Sequence, residues 1–363
     1  MWIRRAIVAS LVLASACAGA GPSADDPAVS APATTATTVA TTRSPASDTT
    51  TPTSPATTVP ATVPTAERRA ALLCARTGAE VVGRVMARSL DEASGLAASR
   101  AHPGVLWAHN DGGARPGVYA IGPGGADLGF HPLPQDAVDV EDMAIASGAT
   151  GDELYLGDIG DNREARTSIA VFRFPEPDPD EPGPIPAVER FEFVYPDGPH
   201  NAETLLVDET NRRIVIVTKE QARGPDGRPS PFGATDDSLV FEAPLDAPDG
   251  APVELTAAGV VDTRLLEERV DDLTPHPATL LGFGGVATGG DVSVDGTLVA
   301  LRTYEAVWVW PRAHGQSVAE VFGGEPCRVQ TLPEGQGEAV AFVADGLITI
   351  GEGVTPPIHH IGR

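Results

Sequence analysis

Five residues stand at the head of short apolar runs: Ser94 before Gly-Leu-Ala-Ala, Glu141 before Asp-Met-Ala-Ile-Ala, Glu203 before Thr-Leu-Leu-Val, Asp291 before Val-Ser-Val, and Glu338 before Ala-Val-Ala-Phe. Four are carboxylates. If the fold brings them together, like charges raise one another's pKa and the group needs compensation. One compensation is Ca²⁺, which takes six to eight oxygens at about 2.3–2.6 Å from carboxylates, hydroxyls, carbonyls and water. The other is direct pairing with Arg163, Lys219 and Arg302, which follow the answering runs and would give a salt-bridged plug. The residues leave both open.

Lys219 is the only lysine among 25 basic residues, and its compact ammonium suits phosphate contact or a tuned base. With a cation polarising a phosphoryl oxygen, Lys219, Arg302 and Arg163 would neutralise transition-state charge, as a phosphohydrolase requires. No general base is identifiable, so a binding module comes first, with Asn110, Asp111, Asp158, Asp161, Asn162 and Tyr304 as ligand contacts. Gly-x-Ser-x-Gly, His-Glu-x-x-His and a phosphate-cradling glycine loop are absent from the sequence. His109 lies near Asp111 without a nucleophile, and His359 and His360, adjacent on an extended run, point to opposite faces.

The elements that must position these residues are paired strands. Each head residue opens an apolar run that turns back within a few residues: Ala101-His-Pro-Gly before Val105-Leu-Trp-Ala, Asp208-Glu-Thr-Asn before Ile214-Val-Ile-Val, Asp295-Gly before Leu298-Val-Ala-Leu, and Asp345-Gly before Leu347-Ile-Thr-Ile. Val118–Ile121, Ile169–Phe174, Leu239–Glu242 and Val307–Trp310 read as third strands. Phe191–Tyr195, Val253–Thr256 and Val318–Phe322 read as outer strands. Repeated sets of four antiparallel strands predict an all-β fold, a β-propeller whose first strands line the axis. Five blades are expected; the long gap between Glu203 and Asp291 leaves room for a sixth, but holds one helix-like piece, 264–273, and no second hairpin. The last set lacks a strand, which Ala79–Val85 supplies, closing the ring.

The head motif, with Ser94-Gly-Leu, Glu141-Asp-Met-Ala, Gly157-Asp-Ile-Gly-Asp-Asn-Arg163 and Asp291-Val-Ser-Val-Asp-Gly-Thr, resembles the five-bladed calcium-activated nucleotidases and the phytase-like exported lipoprotein propellers of bacteria. The resemblance covers 67–363 as architecture and its specific motifs only at the blade openings. It implies an axial Ca²⁺ and, for the nucleotidases, hydrolysis of phosphoanhydrides. Asp291 stands where a hydroxyl or glutamate is expected and the rest of the nucleotidase pattern is missing, so the activity does not carry over.

The chain before the strands reads as address and tether. Arg4-Arg5, the apolar Ala6–Ala16 and Cys17 behind Ala14-Ser15-Ala16 form an export signal too short to span a bilayer. Those small residues resemble a lipobox, which implies acylation of Cys17 and a cell-surface lipoprotein. Residues 18–66, nearly all Thr, Pro, Ala and Ser, read as a disordered linker to a domain over 67–363. Cys74 and Cys327, at the two ends of that domain in an exported chain, are expected to pair. A net charge of −25 argues against nucleic acid as a partner. The expected partners are the membrane, through the lipid, and an extracellular small molecule or protein.

Overall fold

The apolar runs are rich in Val, Ile, Phe and Tyr and broken by Gly, Pro and Asp-Gly, so they pair into short hairpins rather than wind into helices. A computed structural model describes residues 65–76, 78–112, 115–221, 237–248, 250–266 and 284–362. Cys17, the linker up to position 64 and the greater part of the helix-like piece at 264–273 lie outside the described residues. Thr263–Leu265 is one 3₁₀ turn, with Asp262 as its N-cap.

Strand β1 (Ala79–Arg84) precedes blade 1, which is β2–β5 (Ala93–Ala98, Leu106–Asn110, Gly117–Ile121, Asp127–Pro132). Blade 2 is β6–β9 (Asp142–Ser147, Asp152–Asp158, Ile169–Pro175, Glu189–Val194). Blade 3 is β10–β12 (Ala202–Asp208, Arg213–Thr218, Ser238–Pro244) with β14 (Thr256–Val261), the intervening β13 (Val253–Glu254) being lent to blade 2. Blade 4 is β15–β18 (Ala287–Val292, Leu298–Thr303, Val307–Pro311, Cys327–Val329). Blade 5 is β19–β21 (Gly337–Val343, Gly346–Gly351, Pro357–Gly362), with β1 pairing antiparallel to β21 as its outermost strand. The fold is thus a five-bladed β-propeller closed by its N-terminal strand, as the sequence predicts.

Two expected outer strands are corrected. Val253–Thr256 does not complete blade 3: Val253 and Glu254 run parallel to β9 at the edge of blade 2, and the chain then crosses to form β14. Val318–Phe322 does not complete blade 4. Ser317 caps the chain there, its side chain accepting from the Glu320 N–H while Glu320 accepts from the Ser317 N–H, and this reciprocal box starts a short helix over Val318–Val321. Val318, Ala319 and Val321 bury against blades 3 and 4 as one helical face. The outer strand is instead β18, three residues long.

Apolar clusters fill each interface between neighbouring blades, for example Trp107, Phe172 and Phe174 between blades 1 and 2 and Phe193, Ile216 and Phe241 between blades 2 and 3. Between blades 4 and 5 the cluster also takes Ala70 and Leu73 of α1 (Ala66–Cys74), whose last residue is bridged to Cys327 of β18 across a Cα–Cα distance of 5.9 Å. The expected disulfide therefore fastens the N-terminal helix to blade 4, next to the seam that β1 closes.

Candidate axial acidic site

Local irregularity in the inner strands aims the head residues. The register of β2, β10, β15 and β19 against its neighbour shifts between Ala93/Leu96, Ala202/Thr204, Ala287/Gly289 and Gly337/Ala339. Such a bulge twists the strand and re-aims the side chain it carries. The bulged residues are Ser94, Glu203, Thr288 and Glu338, while blade 2 presents Glu141, whose N–H bonds the Gly157 carbonyl just ahead of β6. The blade 4 position is therefore Thr288, not Asp291.

Asp291 lies further along β15, with both carboxylate oxygens accepting backbone N–H groups, from Val292 at 2.8 Å and from Phe342 of blade 5 at 2.7 Å. Burial nevertheless pushes its carboxyl up to about 7. Asp142, beside Glu141, is spent the same way: it accepts from Met143, from Leu205 of blade 3 and from Gly290 of blade 4. The two hydroxyls act as latches, Ser94 donating to the Glu141 carbonyl and Thr288 to the Gly337 carbonyl at 2.9 Å. Ser94 and Asp291, expected as metal ligands, thus have protein partners joining adjacent blades, because the strand geometry presents inter-blade backbone groups to them first.

Three carboxylates do converge. One oxygen from each of Asp111, Asp139 and Glu141 lies within 4.8 Å of the others. Two oxygens on one Ca²⁺ stand at most about 5 Å apart, so this trio fits that ion. Gly160 makes room for them: a Cβ there would come within 2.1 Å of Glu141 Oε1 and 2.7 Å of Asp139 Oδ2. Burial, then the charges of Glu203, Asp111 and Asp139, hold Glu141 well above the usual carboxylate range. Part of Asp111 reaches solvent, yet loss of hydration at the crowded mouth, then Asp139, Glu203 and Glu92, push its carboxyl up to about 7. Burial also raises Asp139.

Beyond the trio the acids continue. Burial pushes Glu338 up to about 8, with Glu352 the largest charge acting on it, and Glu352 itself up to about 7. Gln336 bridges them, its amide donating to Glu338 at 2.7 Å and to Glu352 at 2.9 Å. Glu203, raised by burial to about 7 although Lys219 pulls it down, accepts from Lys219 Nζ at 2.5 Å. The same ammonium donates to the Tyr304 hydroxyl at 2.6 Å. Burial disfavours the Lys219 charge, but Glu203, Tyr304 and Glu338 outweigh it and hold its pKa well above normal.

The remaining expected site residues scatter. Arg302, 1% exposed, turns into the wall between blades 4 and 5 and pairs with Glu334, which also accepts from Thr349 and meets His359. Arg163 and Asn162 are exposed on the loop after β7. Asp158 and Asp161 build that loop: Asp158 accepts from the Val138 and Asp139 N–H groups and from Arg166, and Asp161 from the N–H groups of Ala165 and Arg166. Asn110, the last residue of β3, is taken up by the backbone before β2, donating to the Ser89 carbonyl and accepting from the Glu92 N–H. His109 is buried with its Nε2 accepting from Gly95 N–H, and burial lowers its pKa to about 4.

Sequence reasoning overlooked Asp139, Glu352, Gln336 and Thr288. A signal existed for three of them. Asp139 precedes Glu141 by two places, as Gln336 precedes Glu338, and residues two apart on extended chain share a face. Glu352 follows β20 as Asp111 follows β3, so both belong to the end of a second strand.

No family model matches the chain, and no curated protein matches it in sequence. Solved structures overlap it at low identity. A luciferin-regenerating enzyme is 9% identical with a TM-score of 0.43, covering 79% of this chain and 96% of that one. A chain of a nidogen/laminin complex is 10% identical with a TM-score of 0.38, covering 76% and 86%. A Trichoderma reesei protein of carbohydrate-active enzyme family AA12 is 10% identical with a TM-score of 0.38, covering 78% and 95%. These overlaps carry no inference of ligand or activity.

Proposed function

We propose that the protein is an exported, lipid-anchored propeller whose axial acidic face binds Ca²⁺ and, with it, an extracellular ligand. The observation that carries this reading is the convergence of Asp111, Asp139 and Glu141 in a mouth that Glu338 and Glu352 also line, both close enough for the charge of Asp111 to raise them. Glu203 is matched by Lys219; among the described residues, no lysine or arginine ion pair is formed with the trio, with Glu338 or with Glu352. A cation would favour the ionised trio, because it offsets the charge that burial makes costly.

Binding without turnover is the reading favoured over a Ca²⁺-dependent phosphohydrolase. Of the three cations that mechanism would use, Lys219 alone stands at the ring, held by Glu203 and Tyr304. Assay of the purified protein with nucleotides and with phytate, in Ca²⁺ and in chelator, separates the two readings: Ca²⁺-dependent phosphate release would reinstate the hydrolase.

Thermal melts test the metal. A ligand that binds only the folded state stabilises it by about 2.7 kcal/mol at a hundredfold excess over its dissociation constant. The parent should therefore melt higher in millimolar Ca²⁺ than in chelator, and Asp139→Asn with Glu141→Gln should remove the difference. A parent that melts identically in both retires the reading. For the tether, Cys17→Ser should release the protein from membrane fractions or block its processing; unchanged membrane retention removes the lipid anchor.

A further inference from the structure

At the opposite ends of the inner strands, the turns of blades 1, 4 and 5 and one flank of α1 enclose a cavity of about 800 Å³ that opens to solvent. Its walls are largely apolar. Leu72 of α1 and Val294 of the β15–β16 turn line it at 51% and 69% exposure, among the most exposed large apolar side chains of the described residues. Large apolar groups left wet around a concavity mark a binding site.

The cavity's charge runs against that of the chain. In a protein of net charge −25, its lining carries Arg69, Arg76 and Arg100 against Asp295 and Asp345. Arg69 is bonded to Asp295 and Arg100 to Glu209 at 2.7 Å. Asp345 meets His360. Among the described residues Arg76 has no carboxylate partner, and it lies two residues beyond Cys74, so the disulfide to Cys327 fixes the stretch that presents it. Apolar walls and a guanidinium with its donors uncommitted suit a molecule that is apolar along its length and anionic at one end.

We propose that this cavity binds a small amphipathic organic anion, a free aliphatic or aromatic carboxylate, with Arg76 taking the carboxylate and Leu72 and Val294 covering the apolar body. It is independent of the acidic mouth, so binding does not require Ca²⁺. Calorimetric titration of the full chain with octanoate, and separately with 1-octanol, tests it in chelator. The parent should bind octanoate saturably at one site and more tightly than the alcohol. Arg76→Gln should weaken octanoate about tenfold, as loss of a charge-assisted hydrogen bond does, and leave octanol unchanged. Leu72→Glu, at an exposed position tolerant of charge, should abolish octanoate binding. Absence of saturable binding by the parent, or octanoate affinity that survives either substitution, overturns the proposal.

Discussion

Lys219 shows what a single residue type can disclose. Its rarity drew attention to it, and it does lie at the acidic ring, but as the partner of Glu203 and Tyr304 rather than as a free cation. A buried pair is costly to break from one side, because the survivor keeps its charge without compensation. Lys219→Met should therefore destabilise the protein by about 3 kcal/mol or more, while Lys219→Met with Glu203→Gln should recover most of that loss; denaturant melts of the two variants decide it. Asp291 makes a different case. Its carboxyl is raised from 3.8 to about 7 by burial, so the folded state holds a proton that the unfolded chain has lost. That contribution is present at low pH and is lost as pH rises through the folded pKa, at about 1.4 kcal/mol per pH unit between the two values. Asp291→Asn, which cannot ionise, should flatten the stability profile between about pH 4 and about pH 7; an unchanged slope would show that Asp291 is already ionised there. Residue types in sequence could name these acids, but not which of their oxygens the backbone would claim. Asp291 and Ser94 are taken by N–H and carbonyl groups of the next blade, a contact between strands that no local pattern contains.

Strands were legible wherever an apolar run was bounded by turn residues, since hairpin pairing follows from period-two burial and tight turns. Elements misread were those whose local signal competed with packing. Val318–Phe322 has β-branched residues, yet Ser317 and Glu320 form a capping box that favours helix, and that box decides the outcome. Ser317→Ala should lower stability by about 1 kcal/mol, measurable as a shifted urea midpoint with an unchanged slope. The bulges were equally hidden. They appear in sequence only as small or glycine residues around the head residue, such as Gly95, where a Cβ would lie 2.3 Å from His109 Nε2. Gly95→Ala should therefore disturb the latch at Ser94 by more than its added methyl suggests. Closure, by contrast, followed from simple bookkeeping of strands, with Cys74 and Cys327 at the two ends of the domain. The bridge spans 253 residues of chain, and replacing both cysteines with serine should cost about 2–5 kcal/mol, with α1 the first element to lose protection from hydrogen exchange.

The two ends of the inner strands carry opposite characters, acidic where the strands open and, at the turns of blades 1, 4 and 5, apolar with arginine. The acidic end makes the stability of the metal-free protein depend on pH in a defined sense. Burial raises Glu338 from 4.5 to about 8 and Glu352 from 4.5 to about 7. Both groups therefore hold protons in the folded state over an interval where the unfolded chain has released them. Their contribution is complete below the unfolded values and is lost as pH rises through the folded ones. His109 runs the other way, its pKa being lowered from 6.5 to about 4 by burial, so its contribution is lost only as pH falls below about 6.5. A comparison between about pH 6.5 and about pH 8 thus leaves His109 aside, with a slope of up to about 1.4 kcal/mol per pH unit for each acid still holding its proton. Burial lowers the pKa of His200, but Glu220 and Asp197 outweigh it and raise the pKa on balance. Its contribution is lost in the same sense, so the share of the acids is read from the difference between parent and variant. In chelator the melting temperature should fall across that interval, and Glu338→Gln should make the fall shallower. Ca²⁺ should oppose it, since the ion binds the ionised carboxylates and its affinity rises as their protons leave. A melting temperature that stays level or rises in chelator over the same interval would mean that the mouth is ionised without a metal, and that the fold itself, not a bound cation, compensates the charge.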